Sequence, residues 1–168
     1  MAGSAPLHQR WIRRLAGTRL GAWLFARVLH RIDRFVFRLT GGRRTATSVL
    51  SGLPVVMLTT TGARTGLPRT VPVLGFPSGE DIAVAAGNFG RPEAPGWCVN
   101  LRGDARAQLV VDGQRRPVVA EELSGAERQD VWGRAIEILP AAAAYERRAG
   151  ARTIAVFLLR RDPSSSRD

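Results

Sequence analysis

The sequence predicts an α+β domain centred on an antiparallel barrel of about six strands. Three observations carry this. Six short β-rich runs fall between residues 54 and 159, separated by Gly-, Pro- and Asp-rich turns. The connection Asp112-Gly113 is the dipeptide that favours a two-residue hairpin. Helical periodicity is confined to the N-terminal segment and to the stretch after Ser124. A length of 168 residues with 45% hydrophobic content suits one domain with a substantial core.

The N-terminal segment, residues 1 to 44, is read as a basic amphipathic helix. Leu24, Val28, Ile32, Phe35 and Leu39 recur at helical spacing, and Arg27, Arg31, Arg34 and Arg38 follow on a neighbouring stripe, with Trp11, Trp23 and Phe25 adding aromatic surface. All 25 basic residues of the chain are arginine, for a formal charge of +11. Ten of them stand in residues 1 to 44 against Asp33 alone, while the remaining fifteen face thirteen acids. The arginines break every run that approaches the ~20 apolar residues needed for a bilayer crossing, and no small-residue cleavage site marks a signal peptide. Two readings stay open: residues 7 to 39 lie on an anionic membrane surface, or the helix docks on its own domain. No nucleic-acid-binding motif accompanies the charge, so no nucleic acid is expected as a partner.

Residues 45 to 161 are expected to form the barrel domain, and residues 162 to 168 a disordered tail. "PVVMLTT" is the first strand, "RTVPVLGF" the second, and "TTTGARTGLPRT" spans their connection. "PSGED" is a turn before a third strand, "IAVAAG". "NFGRPEAP" is a loop, and "GWCVNLRGDA" a short helical turn carrying Trp97. "AQLVV" and "RRPVVAEE" flank the Asp-Gly hairpin. Ser124 with Glu127 three residues later is a capping-box pattern opening a helix. Pro140 ends or kinks it, "AAAAYERRA" forms another, and "TIAVFLL" is the last strand.

Cys98 is the only cysteine, and His8 and His30 are the only histidines. That excludes an internal disulfide and leaves no Cys/His cluster, so no metal is expected. The absence of lysine removes Schiff-base chemistry.

The connection Thr59 to Thr70 has two readings. Gly62 and Gly66 permit positive φ, so amides between them can form an anion-binding nest, with Arg64 and Arg69 as planar cationic donors and Thr60, Thr61 and Thr65 as hydroxyls. Alternatively it is a soluble turn whose residues serve the backbone alone. The Walker pattern and the dinucleotide fingerprint are both absent.

From about Leu53 to Leu159 the chain resembles the deazaflavin-dependent nitroreductase family of actinobacteria, in the split β-barrel flavin/deazaflavin oxidoreductase superfamily. "VVMLTTTGARTGLPRTVPV", "IAVAAGNFGRPEAPGWCVNL" with the Trp-x-x-Asn of Trp97 and Asn100, and "RTIAVFLL" carry the resemblance. The basic, aromatic N-terminal helix is similar to that of members described as membrane-associated. The resemblance implies a split β-barrel and a site for coenzyme F-420, an 8-hydroxy-5-deazaflavin with a phosphate and an oligoglutamate tail. It places Arg64 and Thr65 at the phosphate and tail, with Thr60 and Thr61 in support. Arg69, Thr70, Val71, Pro72, Val73 and Leu74 line the coenzyme. Ala85, Ala86, Gly87 and Asn88 form the next wall, and Gly96, Trp97, Cys98, Val99 and Asn100 complete it.

Departures from the family fall on the substrate side. The best-known nitroreductases have Ser-Lys where this chain has Gly87 and Asn88, and an aromatic where it has Cys98. Of their several late tyrosines only Tyr145 remains, and it is the candidate proton donor or substrate hydrogen-bond partner. The expected activity is hydride transfer from reduced coenzyme to a quinone-like, enone or nitro-type apolar substrate, with menaquinone attractive for a membrane-apposed enzyme. The expected location is the cytoplasm, against the inner face of the cell membrane. Two alternatives remain: an FMN-dependent split-barrel oxidoreductase, and a non-catalytic lipid or cofactor carrier at the membrane.

Overall fold

A computed structural model of the chain describes residues 54–166. The N-terminal helix expected within residues 1 to 44 lies outside the described residues. Six strands close an antiparallel barrel in the order β1-β2-β3-β6-β5-β4, with β4 returning to pair with β1. They are β1 (Val55–Thr61), β2 (Pro68–Ser78), β3 (Asp81–Ala85), β4 (Arg106–Val111), β5 (Gln114–Glu122) and β6 (Val156–Arg161). The predicted six-stranded α+β barrel is the observed architecture.

Side-chain alternation builds two cores from one sheet. Val56 and Leu58 of β1, Val84 of β3, Leu109 of β4, Val118 of β5 and Phe157 and Leu159 of β6 fill the barrel interior. Helix α1 (Gly96–Gly103) adds Trp97, Cys98 and Leu101 to that interior. Residues of the opposite parity, among them Phe76, Ala83, Val156 and Leu158, face outward into a second core. Helices α2 (Gly125–Ile138) and α3 (Ala141–Ala149) cover it with Val131, Trp132, Ala135, Ala142 and Tyr145.

Local chemistry sets the connections. Asp112 and Gly113 sit at φ 49° and 81° between partners Val111 and Gln114, which makes a two-residue hairpin. The turn expected over "PSGED" is tighter than its composition suggested: β2 runs through Pro77 and Ser78, and only Gly79 and Glu80 are left between the strands. The capping box at Ser124 does not form, because the Ser124 side chain makes no cap hydrogen bond. Arg128 instead anchors the first turns of α2, donating from Nε and Nη2 to the Ile154 carbonyl at 3.1 and 2.8 Å. Beyond β6, Pro163–Ser166 form a 3₁₀ turn in which Asp162 accepts from the Ser164 amide and hydroxyl.

The pairing leaves one gap. β2 pairs with β1 from Pro68 to Leu74, but with β3 only from Gly75 to Ser78. Along residues 68 to 74 the edge of β2 away from β1 therefore carries no strand of the described residues. Pro68 and Pro72 fall in this stretch, where a missing amide costs no ladder hydrogen bond on the open side.

Candidate functional site

The open edge of β2 begins at the glycine-rich turn. Gly62 donates to the Leu67 carbonyl at 2.9 Å, and Thr65 and Gly66 both donate to the Gly62 carbonyl at 3.1 and 2.8 Å. A Cβ at Gly62 would lie 2.8 Å from Thr65 Oγ1 and 3.0 Å from the Leu67 carbonyl, so a side chain there would force the turn to shift. The Ala63 amide donates to Asn100 Oδ1 at 3.0 Å. The amide nest expected between Gly62 and Gly66 is thus not available as such: closure of the turn and Asn100 engage every amide of that run except that of Arg64. The Arg64 and Arg69 guanidinium groups are exposed and form no ion pair among the described residues.

The threonines organise this end. Thr59 and Thr70 share a 2.8 Å hydroxyl contact across the β1–β2 ladder. Thr60, 2% exposed, accepts from Asn100 Nδ2 at 2.9 Å. Thr61 donates to Asp104 Oδ2 at 3.3 Å, and Thr65 Oγ1 accepts weakly from the Leu67 amide at 3.4 Å. The Arg106 amide and side chain, with Thr61, hold the Asp104 carboxyl below its ordinary pKa. Asn100 therefore ties α1 to the buried end of β1 and to the turn at once, which is the physical content of the Trp97/Asn100 pairing seen in the sequence.

The run Thr70 to Leu74 does not act as one surface. Val71 and Val73 pack against the barrel interior, whereas Leu74 packs against the outer core. Thr70 and Pro72 share Leu74's parity, opposite Thr59 and Met57 of β1. The same rule separates Ala85, against the outer core, from Ala86, fully buried in the barrel. Of the α1 residues, Trp97 and Cys98 turn inward. Trp97 meets Phe157 edge-on at 5.9 Å, and burial pushes the Cys98 thiol above its ordinary pKa, partly offset by Arg102. Val99 is exposed, a Cβ on Gly96 would meet no heavy atom within 4 Å, and Asn100 faces the turn.

Gly87 and Asn88 lead into a left-handed stretch, with Asn88, Phe89 and Gly90 at φ 45°, 55° and 78°. Asparagine and glycine tolerate that region, and packing holds Phe89 in it. Helix α3 closes over it: Phe89 meets the Tyr145 ring at 5.9 Å, a Cβ on Gly87 would touch Tyr145 Cδ2 at 3.4 Å, and one on Gly90 would collide with Arg148 Cβ at 2.8 Å. Burial raises the Tyr145 phenol to about 12, with Arg148 pulling slightly the other way. It therefore stays protonated across the physiological range.

Three participants escaped the sequence reading. Phe89 was inside a stretch read only as loop. Arg148 stacks its guanidinium 5.1 Å from the Tyr145 ring centroid, and its buried Nη2 finds no acceptor among the described residues. Arg152 reaches across to the 86–91 segment from a position more than sixty residues away in sequence. No local pattern signals such contacts.

The F420H(2)-dependent quinone reductase family model matches residues 29–161. An F420H(2)-dependent quinone reductase of Mycobacterium tuberculosis (strain ATCC 25618 / H37Rv) is 30% identical over 112 residues, covering 67% of this chain and 68% of that protein. Among solved structures, an F420-H2 dependent reductase superposes with a TM-score of 0.58 at 33% identity, over 63% of this chain and 93% of the other. A heme binding protein from Mycobacterium smegmatis, at 20% identity and a TM-score of 0.51 over 70% of this chain and 50% of its own, shares the fold alone.

Proposed function

The chain belongs to the F420H(2)-dependent quinone reductase family: it is an oxidoreductase whose coenzyme is the deazaflavin F-420, and from that premise we propose how its residues divide the work. The observation that carries this division is the open edge of β2, bounded by Arg64 and Arg69 at one end and by the Gly87 segment under α3 at the other.

The residues present fit this coenzyme. A phosphate and an oligoglutamate tail need cations without acids beside them, and Arg64 and Arg69, exposed and without an ion pair among the described residues, meet that need, with Thr65 adjacent. A planar heterocycle edged with hydrogen-bonding atoms suits unpaired strand backbone between Arg69 and Leu74. Thr70, Pro72 and Leu74 then face it, while Val71 and Val73 support from within. Ala85, Gly87 and Asn88 form the second wall, and Gly96, Val99 and Asn100 border the tail side. Trp97, Cys98 and Ala86 act from behind, as packing that fixes these surfaces.

When bound and reduced, the coenzyme supplies a hydride. A quinone that takes up this hydride and one proton becomes a hydroquinone, while the coenzyme is left oxidised. Tyr145 would supply the proton to the acceptor oxygen: its ring borders Gly87, and burial keeps its phenol protonated. The side chain Gly87 lacks enlarges the space beside Tyr145, which favours a flat acceptor such as menaquinone over one held by its own hydrogen bonds. Cytoplasmic placement on the inner face of the membrane is consistent with Leu67, 59% exposed between Arg64 and Arg69, and with the basic residues 7 to 39.

Titration of the full chain with deazaflavin coenzyme and with FMN tests the assignment. The deazaflavin is expected to bind more tightly, with Arg64→Ala and Arg69→Ala each weakening it roughly 10- to 150-fold, from lost charge-assisted hydrogen bonds of roughly 1.5–3 kcal/mol. Tyr145→Phe is expected to lower kcat on the order of 100-fold while coenzyme affinity stays native. Tight FMN binding with no response to deazaflavin would overturn the coenzyme assignment. Tight deazaflavin binding without turnover of any quinone would mark the protein as a carrier.

A further inference from the structure

We propose that Arg152 is a positioning residue for the coenzyme-facing wall, a role that rests on the site described above. Arg152 lies just before β6, and its guanidinium is hydrogen-bonded only to main-chain carbonyls. Nη1 donates to Ala86 at 2.9 Å, Nη2 to Gly87 at 3.1 Å and to Arg91 at 2.9 Å, and Nε to Arg91 at 3.2 Å. One planar fork thus grips both ends of the segment whose middle, Asn88 to Gly90, runs left-handed.

Such a conformation persists only where its surroundings hold it. Gly90 and Arg91 donate back to the Gly87 and Asn88 carbonyls at 2.8 and 3.1 Å, and Asn88 Nδ2 donates to the Glu93 carbonyl at 2.8 Å. Ala86 is joined to the approach to β6 through its amide, which donates to the Ala155 carbonyl at 2.8 Å. Arg152 is the element that joins these local bonds to the barrel at two points five residues apart. It has no ion-pair partner among the described residues, and within the fold its guanidinium is met by the carbonyl dipoles it collects.

The consequence is directional. With the Ala86 and Gly87 carbonyls drawn to Arg152, the main-chain groups of Gly87 and Asn88 left without a partner among the described residues are their amides. A wall that offers N–H groups and sits beside an unneutralised cation favours a ring that carries negative charge. The fork matters as well as the charge, because lysine cannot span two carbonyls in one plane.

The experiment compares the full-length native chain with Arg152→Lys and Arg152→Ala. Coenzyme affinity, kcat and KM with a water-soluble naphthoquinone, melting curves, and amide hydrogen exchange at Gly90 and Arg91 in the coenzyme-free protein are measured. Arg152→Ala is expected to speed exchange at Gly90 and Arg91 and to lower kcat/KM on the order of 10- to 100-fold, the cost of a misplaced reacting geometry. Millimolar guanidinium is expected to restore both, whereas sodium at equal ionic strength does not, and Arg152→Lys recovers only part. Native kinetics and native exchange in both variants would overturn the proposal, as would losses that guanidinium leaves untouched. Exchange that quickens in a protein whose native form ignores the coenzyme would instead sink the coenzyme assignment and leave the clamp standing.

Discussion

Removing the Asn100 carboxamide should loosen the turn and the buried end of β1 together. Asn100 makes two side-chain bonds, donating to Thr60 Oγ1 at 2.9 Å and accepting from the Ala63 amide at 3.0 Å. The orientation is fixed, since the Ala63 amide can only donate. Each bond is worth about 1 kcal/mol. The Ala63 amide is exposed and finds water when released, whereas the Thr60 hydroxyl is 2% exposed and does not. Asn100→Ala should therefore cost about 2 kcal/mol, with the larger share at Thr60. For a chain of 168 residues that is a drop in Tm of roughly 4–8 °C. The assay is thermal and urea unfolding followed by far-UV circular dichroism. A cycle with Thr60→Val should recover a coupling of about 1 kcal/mol. Asn100→Asp separates stability from function: the carboxylate still accepts from Ala63, and the Thr60 hydroxyl can turn to donate. It should melt closer to native than Asn100→Ala, yet bind the anionic coenzyme more weakly because a negative charge now sits behind the Arg64 turn. A native melting curve for Asn100→Ala, or additive effects in the cycle, would refute this account of the Trp-x-x-Asn motif.

Two further outcomes follow from buried groups on α3. Arg148→Met removes a buried Nη2 that has no acceptor among the described residues but also the Nε bond to the Ala144 carbonyl at 3.2 Å, so urea unfolding should change by less than about 1 kcal/mol; a larger loss would show that the stacking on Tyr145 outweighs the orphaned donor. Tyr145 is the only tyrosine, so tyrosinate absorbance reports it alone. Its folded pKa is raised from 10 to about 12, so the folded state holds the proton longer than the unfolded one. The stabilisation is fully present below pH 10 and is lost as pH climbs towards 12, roughly 1.4 kcal/mol per unit at most. Tyrosinate appearing in the folded protein near pH 10 would contradict the burial argument.

Features set by neighbouring residues were readable in the sequence, and features set by distant ones were not. Asp112-Gly113 dictates its own positive φ angles, and the strands announce themselves by composition, so the six-stranded barrel was accessible. The parity of Val71 against Thr70, or of Ala86 against Ala85, follows from period 2 once the strand is known. Motif similarity alone had treated those residues as one continuous lining. The glycines of the first turn were read as permitting positive φ, either for an anion nest or for the turn itself: only Gly66 has it, at 65°, while Gly62 leaves room for Thr65 Oγ1 and the Leu67 carbonyl, and the amides serve the turn and Asn100. Arg152 gave no signal because its carbonyl partners lie 61 to 66 residues away, and one arginine in a chain with 25 is indistinguishable from solubilising charge.

The open edge of β2 poses a problem that its sequence answers. An unpaired strand edge invites another strand, and proteins usually blunt it with proline, charge or a covering element. Residues 68 to 74 carry two prolines and the exposed cation Arg69, which together defeat strand addition by removing donors and by charge. Those devices do not exclude a small planar ligand, which needs only a few of the remaining backbone groups and no continuous register. Under the proposed function Arg69 would serve two ends that require the same exposure and the same lack of an acidic partner: repelling another basic copy of the chain, and attracting the coenzyme's anions. An acid placed opposite Arg69 would neutralise both, and across the β1–β2 ladder Arg69 faces Thr60, whose hydroxyl is already held by Asn100.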